Sequence, residues 1–433
     1  MVNAGAERSH LEILSRFSPE TEVCFAYFYP KHDLKGDYEL VGIRLFFLDI
    51  PESYHFHLAI YRLVNLIRTE KPDLLVSSLW RADIITRIAS LLTGVPLVGT
   101  LVNDSYSPIA WTDKKGLKYK LVYWLDRLTS GIPVHWIANA QALAYSHVKT
   151  LGLDSNKISV VYRGREVTNR VWGSGRLESE RTEIERLENE RVENRRLENS
   201  SPHSYWDERE VFKFLSFGRL LERKGFQDAI QAFSLVLQKY PDCTLTVYGE
   251  GPYRSQLEGL IARLGLTTQV KLPGKFYGPT NPLSPNPLFS NLSSLNLLSP
   301  KLSSPNLYSL NPLNLLLSSD CFLFPSWYEG FSGSLIEAMM AGMPIIASDI
   351  PMNLEAVTPN QNGLTFPVKD VKALTDQMIF AIENPARMAD LGKRAMAEAV
   401  ARFDIEKIAK EYERVLYLTP ALFPIRFSSR DRL

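Results

Sequence analysis

Two acidic residues eight positions apart, Glu329 and Glu337, stand in a run built for a charged ligand. Cys321 to Phe324 reads as a short apolar strand broken by Pro325, and Gly330 and Gly333 make a flexible turn around Phe331 and Ser332. A helix is predicted from Ser334 to Gly342, with Pro344 opening the next buried strand. Strand, loop and helix in that order aim backbone N–H groups and the positive end of a helix dipole beyond the strand's carboxyl end, which makes an anion site. Even in one continuous helix the two carboxylates would lie about 12 Å apart along the axis. The acid and nucleophile of a retaining hydrolase sit roughly 5 Å apart, so the simpler reading gives these two different jobs. One faces a reacting group and the other holds a polyol such as a ribose. Glu337 has a second reading, because Ser334-Leu335-Ile336-Glu337 is also a capping box. Glu329, in a loop between Tyr328 and Gly330, has no comparable structural role.

A second group of residues is cationic. The predicted strand Phe212 to Phe217 runs into Gly218-Arg219-Leu220-Leu221-Glu222-Arg223-Lys224-Gly225 and then a helix from Phe226 to Lys239. In isolation, Arg219 and Lys224 read as a solvated surface pair. Further turns follow at Gly249-Glu250-Gly251-Pro252 and at Pro273-Gly274-Lys275.

These residues need a scaffold, and the chain supplies an alternation of single strands and single helices. In the amino half, strands are predicted at 21–29, 43–48, 74–77, 95–101, 136–139 and 158–162, with helices between most of them. Such alternation argues for an α/β fold with parallel, doubly wound sheets, whose ligands bind beyond the strands' carboxyl ends. The start is abrupt: Asn3-Ala4-Gly5-Ala6-Glu7 turns directly into an amphipathic helix, with almost no strand before it.

Two stretches differ in kind. Residues 176–200 repeat Arg-Leu-Glu units with scant apolar content, a charged helix or a disordered linker. Residues 279–318 are built of Leu, Asn, Pro and Ser with a single charge, Lys301, and no helix or strand period. The organisation expected is an amino-terminal domain (1–170), a charged insertion (171–209), a second domain (210–403) interrupted at 279–318, and a closing helix and tail (404–433).

The segment from Lys114 to Arg127 carries a stripe of Leu117, Leu121, Trp124, Leu125 and Leu128 among lysines and tyrosines. It reads as an ordinary helix with its stripe on the core, or else as a basic, aromatic helix lying on an anionic membrane surface.

Composition narrows the function. A net charge of +1 over 433 residues gives no sign of a nucleic-acid partner. Cys24, Cys243 and Cys321 are scattered without metal-type spacing and read as buried thiols of a reducing compartment. No apolar run approaches a membrane span and no signal-peptide pattern opens the chain, which points to the cytoplasm, with the inner face of a membrane as the place a basic helix would dock. A nicotinamide dehydrogenase is disfavoured, since no Gly-x-Gly-x-x-Gly follows a strand.

Glu329 and Glu337 match an E-x7-E motif, and Pro325-Ser326, Glu329-Gly330-Phe331, Glu337-Ala338-Met339 and Gly342-Met343-Pro344 surround it in order. The chain thereby resembles the retaining glycosyltransferases of family 4, well in the carboxyl half and loosely in the amino half. That resemblance implies a GT-B fold, two Rossmann-like domains facing across a cleft, and a last helix crossing back to the first domain. It implies transfer of a glycosyl group from a UDP- or GDP-sugar to a glycan or lipid-linked acceptor, as in polysaccharide biosynthesis, with retention of configuration. Arg219 and Lys224 match the family's Gly-Arg-x4-Lys-Gly motif and would neutralise the leaving diphosphate. No Asp-x-Asp pair occurs, so neither metal nor cofactor is expected. Glu329 would contact the transferred sugar and Glu337 the ribose. Gly330, Phe331, Ser332, Gly333 and Ser334 would offer backbone donors, and Gly218, Gly249 and Lys275 would lie along the nucleotide. In that family a glycine-rich loop like the one at Gly5 follows the first strand of the amino domain, so the resemblance implies that this strand is truncated here, and Gly5 would bring amino-domain backbone to the phosphates or acceptor. Where the family often has a histidine near the sugar, this chain has Asn103 and Asp104, of which Asp104 is the candidate substitute. The alternatives are a catalytically impaired nucleotide-sugar-binding protein and a GT-B sugar-nucleotide epimerase.

Overall fold

The computed structural model describes residues 5–30, 34–51, 55–113, 116–167, 211–275 and 312–422. The charged repeat at 171–209 and most of the 279–318 segment lie outside them. The end of the latter is described, and where no helix was expected Pro312–Leu317 forms one.

In the amino half, β1 (Cys24–Tyr27) and β2 (Arg44–Phe47) form a parallel pair. β3 (Leu75–Ser77), β4 (Leu97–Leu101), β5 (His135–Ala138) and β6 (Ile158–Val160) form a four-stranded parallel sheet in that order. All five residues of β4 and all four of β5 are buried, as expected of parallel strands covered on both faces. Ile137 packs with Val98, Ile13 of the first helix (Gly5–Leu14) and Ile405 of the last (Ile405–Leu422). Its neighbour Trp136 points the other way, its ring 5.1 Å from the guanidinium of Arg87 on helix Trp80–Thr93. The period-two alternation of a strand thus assigns each residue its layer.

The carboxyl half holds six parallel strands: β7 (Phe212–Phe217), β8 (Cys243–Tyr248), β9 (Val270–Gly274), β10 (Cys321–Phe324), β11 (Ile345–Ser348) and β12 (Leu364–Phe366). Their spatial order is β12-β11-β10-β7-β8-β9. Counted from β7 this is the doubly wound order 3-2-1-4-5-6, and its chain direction switches between β7 and β10. The loops leaving those two strands carry Gly218–Gly225 and Pro325–Gly333, so the topology brings two distant motifs to one crevice. The last helix packs Ile405, Ile408, Tyr412 and Val415 against the amino half. Its Glu413 accepts hydrogen bonds from Ser18 and Thr21, and its Glu406 pairs with Arg16.

Two expectations are corrected here. Cys243 and Cys321 are buried, but Cys24 is exposed, because β1 lies in a two-stranded sheet that leaves its start open to solvent. The segment around Lys114 forms two helices, Pro108–Asp113 and Leu117–Thr129, and the second does not turn its apolar stripe to the core. Its buried residue is Asp126, whose carboxylate binds the buried Arg87 at 2.6 Å and accepts from Tyr106 at 2.6 Å. A buried guanidinium without its acid would cost several kcal/mol, on the order of 3–5. That pairing fixes the helix's rotation and leaves the leucines outside.

Candidate functional site

The crevice is built by backbone meeting backbone, which explains its glycines. Gly225 ends the turn Glu222–Lys224 with φ 68°, and a Cβ there would collide with the carbonyl oxygen of Pro325. A Cβ on Gly249 would meet the carbonyl oxygen of Gly218. The loops after β7, β8 and β10 are therefore clamped at van der Waals contact, and larger residues would push them apart.

That clamp places Lys224 against Glu329. Lys224 Nζ pairs with Glu329 Oε1, Arg223 approaches Oε2 at 3.5 Å, and Ser326 donates to Oε1 at 3.0 Å. Glu329 is buried. Burial by itself would raise its pKa, but the charges of Lys224 and Arg223, with hydrogen bonds from Lys224 and Ser326, hold the carboxyl below its ordinary value. It is a fixed negative charge at neutral pH. Arg219 stands nearby and exposed, and among the described residues its side chain makes no hydrogen bond or ion pair. The two cations of one motif thus differ: Lys224 is committed to a carboxylate, and Arg219 offers its fork to an incoming anion.

The helix after β10 runs Gly333–Met340, one residue earlier than expected, with Ser332 at its N-cap and no side chain capping it. Ser332 Oγ is 3.0 Å from Ser334 Oγ, so both hydroxyls lie at the helix start. The capping box does not form. Glu337 instead accepts from Arg165 Nε at 2.7 Å. Arg165 also reaches Glu12 of the first helix at 2.9 Å, and a Cβ on Gly333 would collide with its guanidinium.

Several expected residues stand elsewhere or are already engaged. The Phe331 amide donates to Asn139 Oδ1 at 3.2 Å, and its ring is buried against Tyr162 and Phe403, so it is not a donor toward a sugar. Asp104 is buried and accepts from Ser146 at 2.7 Å, because helix Gln141–Leu151 passes behind it. It does not stand in for a cleft histidine. Asn103 is exposed, and its backbone borders Gly330, where a Cβ would collide with the Val102 carbonyl. Gly330 is thus one of the points at which the two halves touch. Lys275 is exposed just after β9, and Gly5 is the first residue of its helix.

Sequence reading missed Arg163 and Arg165. Arg163 lines a small cavity with Ser9, Thr100 and Asn139, and makes no hydrogen bond or ion pair among the described residues. Burial, with Arg165 alongside, pushes it down to about 10, so it stays charged at neutral pH. Ser9 Oγ in the same wall is buried without a partner. The two arginines flank one glycine directly after β6, a signal legible only once both carboxylates were known to face that turn.

The sequence profile of the glycosyl transferases group 1 matches residues 206–281 and 306–398, and that of Glycosyltransferase Family 4 matches residues 5–168. The uncharacterized glycosyltransferase MJ1059 of Methanocaldococcus jannaschii is 28% identical over 48% of this chain. The chain spans only 50% of that relative's length. The capsular polysaccharide biosynthesis glycosyltransferase CapM of Staphylococcus aureus is 21% identical over 82% of this chain and 79% of its own. The crystal structure of HepE from Anabaena, in complex with UDP-glucose, superposes with a TM-score of 0.69 at 20% identity, covering 96% of this chain and 97% of that one. The two profiles follow one another across both halves of this parallel α/β fold, with residues 169–205 between them, and the chain belongs to the GT-B glycosyltransferases.

Proposed function

We propose that this protein transfers a glycosyl group from a nucleotide-diphosphate sugar to a glycan or lipid-linked acceptor, without a metal and with retention of configuration. The observation that carries this reading is the contact between Lys224 and Glu329 at the sheet's switch point, beside an uncapped helix start. Breaking an anomeric C–O bond leaves positive charge on the sugar ring and negative charge on the diphosphate. Arg219 and the N–H groups at Gly333 and Ser334 suit the diphosphate, with Lys224 adding positive charge beside them while it holds Glu329. Glu329, ionised and fixed, suits the sugar. Glu337 has no hydrogen bond to Oε2 among the described residues, which suits it to a ribose hydroxyl while Arg165 holds Oε1. A front-face displacement, in which the departing diphosphate takes the acceptor's proton, needs no further base. That HepE was crystallised with UDP-glucose favours UDP as the carrier, and CapM's name favours a saccharide acceptor.

The test is a thermal-shift panel of UDP- and GDP-sugars, followed by donor hydrolysis with EDTA present. Wild type should be stabilised by a subset of donors and hydrolyse one of them. Glu329→Gln should still bind but lose about a hundredfold in rate, near 3 kcal/mol of transition-state stabilisation. Equal rates would remove Glu329 from the reaction, and epimerised rather than hydrolysed donor would make the protein an epimerase.

A further inference from the structure

Helix Leu117–Thr129 is turned the wrong way round for a soluble surface. Leu117 is 73% exposed, Leu121 62%, Trp124 56% and Leu128 78%, with Leu125 and Tyr119 also exposed. On neighbouring helix Trp80–Thr93, Leu91 lies one turn beyond Arg87 and is exposed too. Scattered surface leucines are ordinary, but so many on four turns of one helix are not.

The charges on the same helix identify what covers it. Lys118, Lys120 and Arg127 are exposed. Its one acid, Asp126, is buried on Arg87 and Tyr106. The exposed residues of Leu117–Thr129 are therefore leucines, aromatic rings and basic groups, and none of them is acidic. Trp124 and Tyr119 are the side chains that favour the boundary between hydrocarbon and water. Two copies laid face to face would oppose these cations with like charge and no acid, which disfavours self-association. An anionic bilayer meets both demands: headgroups for the cations and acyl chains for the leucines.

We infer that helix Leu117–Thr129 docks this protein on an anionic lipid surface. The helix axis would lie in the plane of the surface, its leucines about 5–10 Å into the headgroup boundary. The rest of the amino half would sit behind it, anchored through the Arg87–Asp126 pair. The inference stands apart from the transfer reaction, and holds or fails whether or not a nucleotide sugar binds.

The experiment is co-sedimentation of the full chain with vesicles of phosphatidylcholine alone and of phosphatidylcholine with phosphatidylglycerol. Binding is expected only to the anionic vesicles, with a blue shift in tryptophan fluorescence that Trp124→Phe lacks. Lys118→Gln with Lys120→Gln should weaken binding roughly thirtyfold, the sum of two surface cations. Leu121→Ser with Trp124→Ser should abolish it. Both pairs are exposed, so unchanged melting and unchanged UDP-induced stabilisation would show that the fold is intact. Absence of vesicle binding by wild type, or binding undiminished in Leu121→Ser with Trp124→Ser, overturns the inference. So does a dimer in sedimentation velocity that the same pair dissolves, since a second copy would then be the occupant.

Discussion

Glu329 is held in a cage that opposes its burial. Lys224, Arg223 and Ser326 surround it, and their net effect is a pKa below the ordinary 4.5. A carboxyl depressed in the folded state contributes stability that is fully present above its unfolded pKa and is lost as pH falls through the folded one. The difference in melting temperature between wild type and Glu329→Gln should therefore be constant above about pH 5 and change below about pH 4.5. A difference that stays flat to about pH 3 would mean that the cage does not favour the ionised form. Lys224→Ala removes the nearest cation and leaves a buried carboxylate short of its partner. It should cost on the order of 3 kcal/mol and weaken donor-induced stabilisation, whereas Arg219→Ala, at an exposed position, should weaken the second with little effect on the first.

At the scale of elements, the crevice depends on how closely three loops approach. Gly225 and Gly265 both adopt left-handed φ, 68° and 71°, but only Gly225 has neighbours where a Cβ would go. Alanine at Gly265 should cost only the conformational strain, about 1 kcal/mol. At Gly225 the Pro325 carbonyl adds a steric term, and a total of about 3 kcal/mol is expected. Melting temperatures of the two variants check this, with donor affinity lost in Gly225→Ala alone. Equal effects would show that the β7 and β10 loops are not clamped as described. Helix Leu117–Thr129 illustrates another point at this scale: one buried ion pair decides which face of a helix meets water.

Across the whole molecule, Arg165 joins three parts of the chain. Its guanidinium reaches Glu12 on the first helix and Glu337 on the helix after β10. Its backbone exchanges hydrogen bonds with Phe403 and Ile405 at the entrance to the last helix. Replacing it by Met leaves Glu337 without its cation and Glu12 with Arg8 alone, and a loss of about 3 kcal/mol is expected. Because the cross-link runs between the halves, Arg165→Met should also expose the junction to limited proteolysis, and UDP should restore protection less well than in wild type. A variant with unchanged melting and unchanged cleavage would mean that the Gly330 contact and the last helix hold the halves together without it.

The alternation of strands and helices, the parallel sheets and the E-x7-E run are all legible along the chain. Those features are local: period-two and helical apolar patterns, glycine at tight turns, and motif spacing are all written within a few residues of one another. Tertiary structure alone decided which partners the polar groups take. Glu337 binds Arg165 from a turn 172 residues away, the Phe331 amide goes to Asn139, Asp104 turns to Ser146, and Arg87 draws Asp126 inward. A buried polar group must find its complement wherever the fold brings one near, and no pattern along the chain records that meeting.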